Sequence, residues 1–191
     1  MDGGAGNTYV VYVTISDGTN TGSMIQYTIT VTDKSEFTIS DTTDSNAASN
    51  TVSEGASDNA EVGITATATD DDSGDSVTYT MQTTTTACDG WFDIGSSDGI
   101  VRVDGSSELD YETVTSCVIS VTSTSSDTST STEDFTITLT DVNEHAVTSP
   151  TDTDTDDNTL AENVANGASA EITAAASDSD GTDNTVTFGI A

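Results

Sequence analysis

The sequence predicts an all-β protein built from tandem Greek-key β-sandwiches, and three observations support this fold class. Apolar residues alternate with Thr and Ser at a period of two, which is typical of strands that bury one face. Clusters of Asp, Gly and Ser separate these runs and favour turns. Segments of the chain also recur at one fixed offset, the separation of Asp33 from Asp141, which we call the repeat offset.

The alternating runs in the middle of the chain are short and evenly spaced. We count about seven strands in about 108 residues, which is the size and pattern of a seven-stranded Greek-key sandwich. Thr and Val, which dominate these runs, favour pleated and half-buried strands, and no segment has a convincing helical period. The apolar positions of the runs are Ile64, Ala66, Ala68, Val77, Tyr79, Val101, Val103, Ile119, Val121, Phe135, Ile137 and Leu139.

The repeat is visible in separate parts of the chain. "QYTITVTDKSEF" at 26 to 37 aligns with "DFTITLTDVNEH" at 134 to 145, and "ITATATDDD" at 64 to 72 aligns with "ITAAASDSD" at 172 to 180. The apolar phase and the acidic positions agree together, which a chance match of Thr, Ser and Asp would not give.

This offset predicts one whole repeat flanked by two partial repeats. We expect residues 1–36 to be the C-terminal part of one repeat, 37–144 a complete repeat, and 145–191 the N-terminal part of a further repeat. The start of the chain has no basic and apolar leader region, so we expect a segment of a longer precursor.

The charge of the chain restricts its partners. Thirty-four acidic residues face only Lys34 and Arg102, which gives a formal net charge of -32. Nucleic acids and anionic lipid surfaces are excluded as general electrostatic partners because both are polyanions. No apolar run reaches the length of about 18 residues needed to span a membrane. Cations are the natural partners, although much of the acidity is expected simply to solvate the surface.

The sequence offers little material for catalysis. One histidine and two cysteines leave almost nothing from which to build a nucleophilic triad. Paired carboxylates could serve glycoside hydrolysis, but no aromatic subsite accompanies them, and we expect Trp91 and Tyr111 to pack rather than to bind sugar. We therefore expect no enzyme.

The two cysteines lie in the same predicted repeat. Cys88 and Cys117 both fall on or beside predicted strands. In an oxidising compartment they could form a disulfide worth about 3.6 kcal/mol on the loop-entropy estimate. Two separate buried thiols are the alternative.

Five acidic or aromatic motifs follow one another in the middle repeat. They are "VSEG" with Glu54, "TDDDSG" with Asp70 and Asp72, "GWFDIGSSDGIVRV" with Phe92, Ile94 and Gly99, "ELDYE" with Asp110 and Glu112, and "TDVNEH" with Asp141, Asn143 and Glu144. Each motif alone is weak in an Asp-rich chain. In this order and spacing they resemble a cadherin repeat, and the resemblance extends into both flanking pieces, where "VTISDG" carries Asp17.

The resemblance implies that calcium binds between successive repeats. Ca²⁺ takes six to eight oxygen ligands, so its site must be rich in Asp and Glu. Two carboxylates about 5 Å apart repel by roughly 0.8 kcal/mol even at the dielectric constant of water, a cost that two or three ions would offset. At the second junction the implied ligands are Glu54, Asp110, Glu112, Asp141, Asn143, Glu144, Asp178 and Asp180.

The first junction is predicted to bind fewer or looser ions. Ser35 stands where the second linker has Asn143, and Lys34 lies beside it. Ser125 occupies the position matched by Asp17, so the late acidic ligand of the middle repeat is expected to be lost. The implied residues here are Asp17, Asp33, Ser35, Glu36, Asp70 and Asp72.

The resemblance implies a calcium-rigidified extracellular segment, secreted or on the cell surface. We expect it to serve cell adhesion or to act as a spacer or fibre subunit, with homophilic or head-to-tail self-association. The alternative is an accessory immunoglobulin-like binding module of an extracellular enzyme or of a carbohydrate-binding surface protein.

Overall fold

A computed structural model describes residues 8–32, 34–72, 74–105 and 108–190. These residues form strands, turns and irregular loops, with one short 3-10 helix at Thr86–Cys88. No helix among them combines the length and apolarity needed to cross a membrane. The strands in chain order are β1 Thr8–Val13, β2 Ile25–Thr30, β3 Thr43–Asp44, β4 Thr51–Ser53, β5 Glu61–Thr67, β6 Val77–Thr83, β7 Phe92–Ile94, β8 Ile100–Val103, β9 Ser116–Ser125, β10 Thr130–Thr140, β11 Thr151–Asp152 and β12 Ala174–Ala175.

The middle of the chain forms a sandwich of two four-stranded sheets. One sheet has the order β4-β10-β9-β6 and the other β3-β5-β8-β7. The first edge of the sandwich is divided: β3 pairs antiparallel with β5, whereas β4 crosses to the opposite sheet and pairs parallel with β10. The sandwich therefore has one segment more than the sequence predicts, because two stretches separated by a turn share the role of the first strand.

The inner faces of the two sheets form one hydrophobic core. Residues that alternate along β5, β8, β9 and β10 point inward, as the period-two pattern predicts. Trp91 is buried in this core, and Tyr111 packs against it partly buried. Cys88 and Cys117 are fully buried and joined by a disulfide, so the first of the two alternatives for this pair is confirmed.

A tight turn joins β7 to β8 in the "GWFDIGSSDGIVRV" motif. Gly99 has a φ of +67°, and a Cβ atom there would lie 2.2 Å from the carbonyl oxygen of Ala66. The Ala66 N–H donates to the Gly99 carbonyl oxygen at 2.8 Å. Only glycine allows the turn to approach β5 this closely.

The flanking pieces reproduce parts of the sandwich at the repeat offset. Hairpin β1–β2 pairs Tyr9 with Ile29, just as β9–β10 pairs Cys117 with Ile137. Pair β11–β12 repeats the register of β3–β5. The surroundings differ, because the apolar side chains of β1 and β2 are exposed in the described chain. A lone two-stranded hairpin is marginally stable in water, so these strands depend on further packing.

Candidate metal centre at the repeat junctions

Four carboxylates meet where the middle sandwich ends. Glu54 follows β4, Glu112 lies in the loop between β8 and β9, and Asp141 and Glu144 directly follow β10. One oxygen from each lies within 4.8 Å of the oxygens of the other three. The parallel pairing of β4 with β10 brings Glu54 beside the linker, so residues far apart in sequence reach one point.

Glu54 organises this end of the sandwich. Its carboxylate is buried and accepts two short hydrogen bonds, from the Tyr111 N–H at 2.6 Å and from the Val142 N–H at 2.6 Å. One oxygen thus holds the "ELDYE" loop and the other holds the linker. Hydrogen bonds to a charged acceptor are stronger than those between neutral groups. Leaving a buried charged acceptor without them costs folding free energy.

The loop at 178–182 closes the site from the far side of the linker. The Gly181 N–H donates to Glu112 Oε1 at 2.8 Å, and the Thr182 N–H donates to Asp141 Oδ2 at 2.7 Å. A Cβ atom on Gly181 would lie 2.7 Å from the Tyr111 ring, so only glycine allows this approach. Gly181 and Thr182 were not predicted from the sequence, although they directly follow the predicted ligand Asp180.

The second linker is anchored through its backbone. Asp180 is buried, and its Oδ1 accepts hydrogen bonds from the N–H groups of Glu144 at 3.1 Å and of His145 at 3.2 Å. A single buried carboxylate therefore holds two successive backbone N–H groups of this linker.

The first linker is anchored by the equivalent residue. The Asp72 carboxylate, also buried, accepts from the Glu36 N–H at 3.1 Å and from the Phe37 N–H at 2.8 Å. The same arrangement thus occurs at both linkers, separated by the repeat offset.

The electrostatics of the second junction reflect crowded negative charge. Partial removal from water raises the pKa of the Glu144 carboxyl, and the charges of Glu54 and Glu112 raise it further. The Thr182 hydroxyl, which donates to Asp141, lowers the pKa of that carboxyl. Partial removal from water, together with the neighbouring negative charges, therefore disfavours the ionised form of Glu144, whereas hydrogen bonding favours that of Asp141.

Other predicted ligands of the second junction lie outside the four-carboxylate cluster. Asp110 directs its two oxygens to the Thr113 N–H and hydroxyl, at 2.8 and 2.7 Å. These bonds lower the pKa of the Asp110 carboxyl, the one from the hydroxyl most. Asp178 accepts from the Asp180 N–H at 3.3 Å and stabilises the loop instead. The side chain of Asn143 is exposed.

The first junction brings together a different set. Asp70, Asp72 and Asp75, all in the loop between β5 and β6, offer oxygens within 4.8 Å of one another. Glu36 contributes its backbone N–H to Asp72, and its side chain is in none of the metal-sized groups found among the described residues. Asp33 lies outside the residues that the structure describes.

Asp17 is placed in a local turn between β1 and β2. Its Oδ1 accepts from the N–H groups of Asn20 at 2.7 Å and of Thr19 at 2.9 Å. These two bonds lower the pKa of the Asp17 carboxyl. In the described chain the residue is exposed and belongs to no metal-sized group.

A further acidic residue, not singled out by the sequence analysis, reaches the first linker. Ser125 is buried and its hydroxyl has no partner among the described residues. Asp127 lies two residues further on, in the turn that follows β9, and its Oδ2 accepts a hydrogen bond from the Ser35 hydroxyl at 2.8 Å. An acidic side chain is thus present near the first junction despite the serine at position 125. A small shift inside a turn hid it from a fixed-offset comparison.

Both junctions contain carboxylate oxygens whose bonding capacity is unused. Asp70 Oδ2, Asp141 Oδ1 and Asp180 Oδ2 are buried and accept no hydrogen bond within the described part of the chain. Calcium ligands lie about 2.3 to 2.6 Å from the ion, so the oxygens of one shell lie within about 5 Å of one another. The four-carboxylate cluster meets that limit, and its all-oxygen donors suit Ca²⁺. The residues present therefore fit a calcium ion.

A third acidic group lies away from both linkers. Asp154, Asp156 and Glu171 offer oxygens within 4.8 Å of one another. The buried oxygens that lack partners in the described chain all belong to other residues. This group is therefore a suitable control: it is also acidic but has no buried carboxylate oxygen that lacks a partner in the described chain.

Solved structures of known proteins show which fold this chain shares. No protein-family model matches the sequence, and no curated protein matches it significantly. Among solved structures, Drosophila N-cadherin EC1-4 is 22% identical with a TM-score of 0.59, over 92% of this chain and 42% of that one. Human CDH23 EC21-23 is 23% identical with a TM-score of 0.58, over 91% and 54%. Mouse Protocadherin-24 EC1-3 is 19% identical with a TM-score of 0.58, over 93% and 57%.

The topology and these likenesses define the class as all-β Greek-key sandwiches. Within that class, the chain has the fold of cadherin extracellular repeats, so the resemblance carried by the five motifs is confirmed at the level of the fold. The chain spans between 42% and 57% of the three structures compared.

Proposed function

We propose that this chain is a segment of an extracellular, cadherin-like repeat array whose junctions bind calcium. The ions tie neighbouring repeats into a stiff rod that serves cell adhesion or acts as a spacer or fibre subunit. The observation that carries the proposal is the convergence of Glu54, Glu112, Asp141 and Glu144 at a linker, beside buried oxygens that lack partners in the described chain.

The division at residues 36 and 144 is part of this proposal. Its support is the recurrence of strand registers and of the Asp72 and Asp180 anchors at the same offset. The buried disulfide between Cys88 and Cys117 supports an oxidising, extracellular location, because cytosolic thiols are normally kept reduced.

Self-association between copies, homophilic or head-to-tail, is the partner interaction we propose. The apolar residues of β1 and β2, which are exposed in the described chain, would be covered either by the remaining strands of their own repeat or by strands of a neighbouring copy. Sedimentation equilibrium with and without calcium measures self-association directly, and a monomer at about 100 μM in both buffers would exclude it at that concentration.

The calcium proposal is tested by unfolding the full chain in a calcium buffer and in a chelator buffer. Extracellular calcium modules bind with dissociation constants of about 10⁻⁴ to 10⁻³ M, so about 10 mM CaCl₂ is sufficient. At roughly a hundredfold excess over the dissociation constant, ligand binding adds about 2.7 kcal/mol to the free energy of unfolding. Equal unfolding midpoints in the two buffers would exclude the proposal.

A matched pair of variants separates site binding from general charge neutralisation. Glu112→Gln with Glu144→Gln removes two charges from the second junction, and Asp154→Asn with Asp156→Asn removes two from the distant acidic group. We expect only the first pair to reduce the calcium-dependent stabilisation. Equal losses in both pairs would indicate non-specific screening.

A further inference from the structure

The second junction carries the single imidazole of the protein. His145 is the only histidine in the sequence, and it stands where the first linker has Phe37. Its Nε2 lies 3.8 Å from Glu144 Oε1. Ligand atoms of Glu112, Glu144 and His145 all lie within 4.8 Å of one another. An imidazole and two carboxylates therefore share the rim of one site.

This donor set differs from that of a calcium site. Calcium prefers oxygen, whereas a neutral imidazole is a good ligand for Zn²⁺, Cu²⁺ and Ni²⁺. Zinc with three protein ligands and one water holds nitrogen and oxygen at about 2.0 to 2.2 Å. Tetrahedral ligands at that distance lie roughly 3.4 Å apart. The 3.8 Å between His145 Nε2 and Glu144 Oε1 exceeds this by a few tenths of an ångström, and the ligand atom of Glu112 lies within 4.8 Å of those of the other two residues.

The surroundings of the triad favour a bound cation independently of the triad itself. Asp180 is 2% exposed, its Oδ1 holds the backbone N–H groups of Glu144 and His145, and its Oδ2 has no partner among the described residues. The backbone of two of the three ligands is thus fixed by a buried carboxylate with unused bonding capacity. The His145 and Glu144 side chains are about half exposed, which leaves room for a water ligand.

We propose that Glu112, Glu144 and His145 form a transition-metal site of the zinc class on the rim of the second junction. The first junction has no counterpart, because Phe37 offers no side-chain ligand atom. The inference rests on the proposed function in one respect, that Glu112 and Glu144 are also proposed calcium ligands. Zinc would therefore occupy carboxylates that calcium otherwise uses, and it would make this junction responsive to a second cation.

The test is a ZnCl₂ titration of the full chain in calcium-free buffer, in which NMR monitors the ring C–H signals of histidine. Because the chain has one histidine, these signals report on His145 alone. We expect them to shift or broaden at micromolar zinc, and to move at least tenfold later in the Glu112→Gln, Glu144→Gln variant. The Asp154→Asn, Asp156→Asn variant should behave as the wild type. Unmoved signals, or the same midpoint in all three proteins, would overturn the proposal.

A second variant keeps the zinc and calcium outcomes apart. In His145→Asn the zinc affinity, measured by competition with a chromophoric chelator, should fall at least tenfold, while calcium affinity stays within twofold of the wild type. An unchanged zinc affinity would overturn the zinc site and leave the calcium proposal intact. Failure of the calcium proposal is detected separately, in the wild-type calcium titration.

Discussion

The two linkers are anchored alike but differ in their chemistry. Asp72 accepts hydrogen bonds from the backbone N–H groups of Glu36 and Phe37. At the repeat offset, Asp180 accepts hydrogen bonds from those of Glu144 and His145. In both places a buried carboxylate near the start of one repeat fixes the backbone that leads into it. The geometry of the linker is therefore set by one shared type of contact between a side chain and the backbone.

The two linkers differ in the charged residues around them, although their backbones are anchored alike. Four carboxylates surround the second linker, whereas the group near the first consists of Asp70, Asp72 and Asp75 from a single loop. Lys34 stands in the first linker where the second has Val142. The two linkers therefore share the type of backbone anchor but differ in the carboxylates around it, and at the first linker the anchor Asp72 also belongs to the acidic group.

The largest effect is expected from Glu54→Ala at the second junction. The change leaves the N–H groups of Tyr111 and Val142 without their charged acceptor, which costs about 2 to 4 kcal/mol in the free energy of unfolding. Urea denaturation in the presence of chelator measures this without any contribution from metal.

Glu162→Ala is the matched control for Glu54→Ala. Glu162 lies at the equivalent position one repeat offset later and is exposed. A surface change of this kind is expected to stay within about 0.5 kcal/mol. Similar losses in both variants would mean that Glu54 acts through charge alone and does not organise the junction.

The next effect separates the two anchors. Asp72→Ala should abolish the hydrogen-exchange protection of the Glu36 and Phe37 amides, and Asp180→Ala that of the Glu144 and His145 amides. Each change should cost about 1 to 3 kcal/mol, because a buried charged acceptor is removed. Each is the control for the other, and loss of protection at both linkers from either single variant would contradict independent anchoring.

The fold was largely predictable from the sequence, because its signals are local and periodic. Period-two alternation found Ile64, Ile119 and Ile137, which are fully buried on the inner faces of the sheets. The division of the first strand between β3 and β4 was not predictable. It depends on which neighbour each short segment pairs with across the sandwich, and a run of Thr and Ser carries no such information.

The site was predictable only in part, for two physical reasons. Glu54, Glu112, Asp141 and Glu144 were identified because their motifs occur at recognisable spacing. Some predicted ligands use their oxygens in other hydrogen bonds, such as those that Asp110 accepts from Thr113. These bonds depend on side-chain orientation, which the spacing of motifs does not reveal. Gly181 and Thr182 contribute through backbone N–H groups, which every residue except proline possesses.

Calcium titration should resolve the two junctions. Four clustered carboxylates attract a divalent ion more strongly than three, and the first linker also carries the positive charge of Lys34, so we expect the second junction to fill at about tenfold lower calcium, a difference of about 1.4 kcal/mol. The amide signals of Gly181 and Thr182 report on the second junction, and those of Glu36 and Phe37 report on the first. Signals that move together throughout the titration would contradict this order.

The smallest effect is expected at Asp127, which holds the first linker through Ser35 and accepts from the Ser129 hydroxyl at 2.7 Å. The Ser129 hydroxyl is the main cause that lowers the pKa of the Asp127 carboxyl. Since this pKa is lower in the folded than in the unfolded chain, the stabilisation is present above about pH 4 and is lost as the pH falls through the folded value.

Asp127→Asn should therefore lower the melting temperature slightly at neutral pH, less than Asp72→Ala does, and the deficit relative to wild type should vanish at low pH. The Ile39 amide, which donates to the Ser129 hydroxyl at 3.0 Å, should exchange a few times faster in the variant. Asp134→Asn, an exposed change on β10, controls for the loss of one surface charge. A deficit that persists unchanged in strong acid, or an equal one in the control, would show that the carboxylate does not anchor the linker.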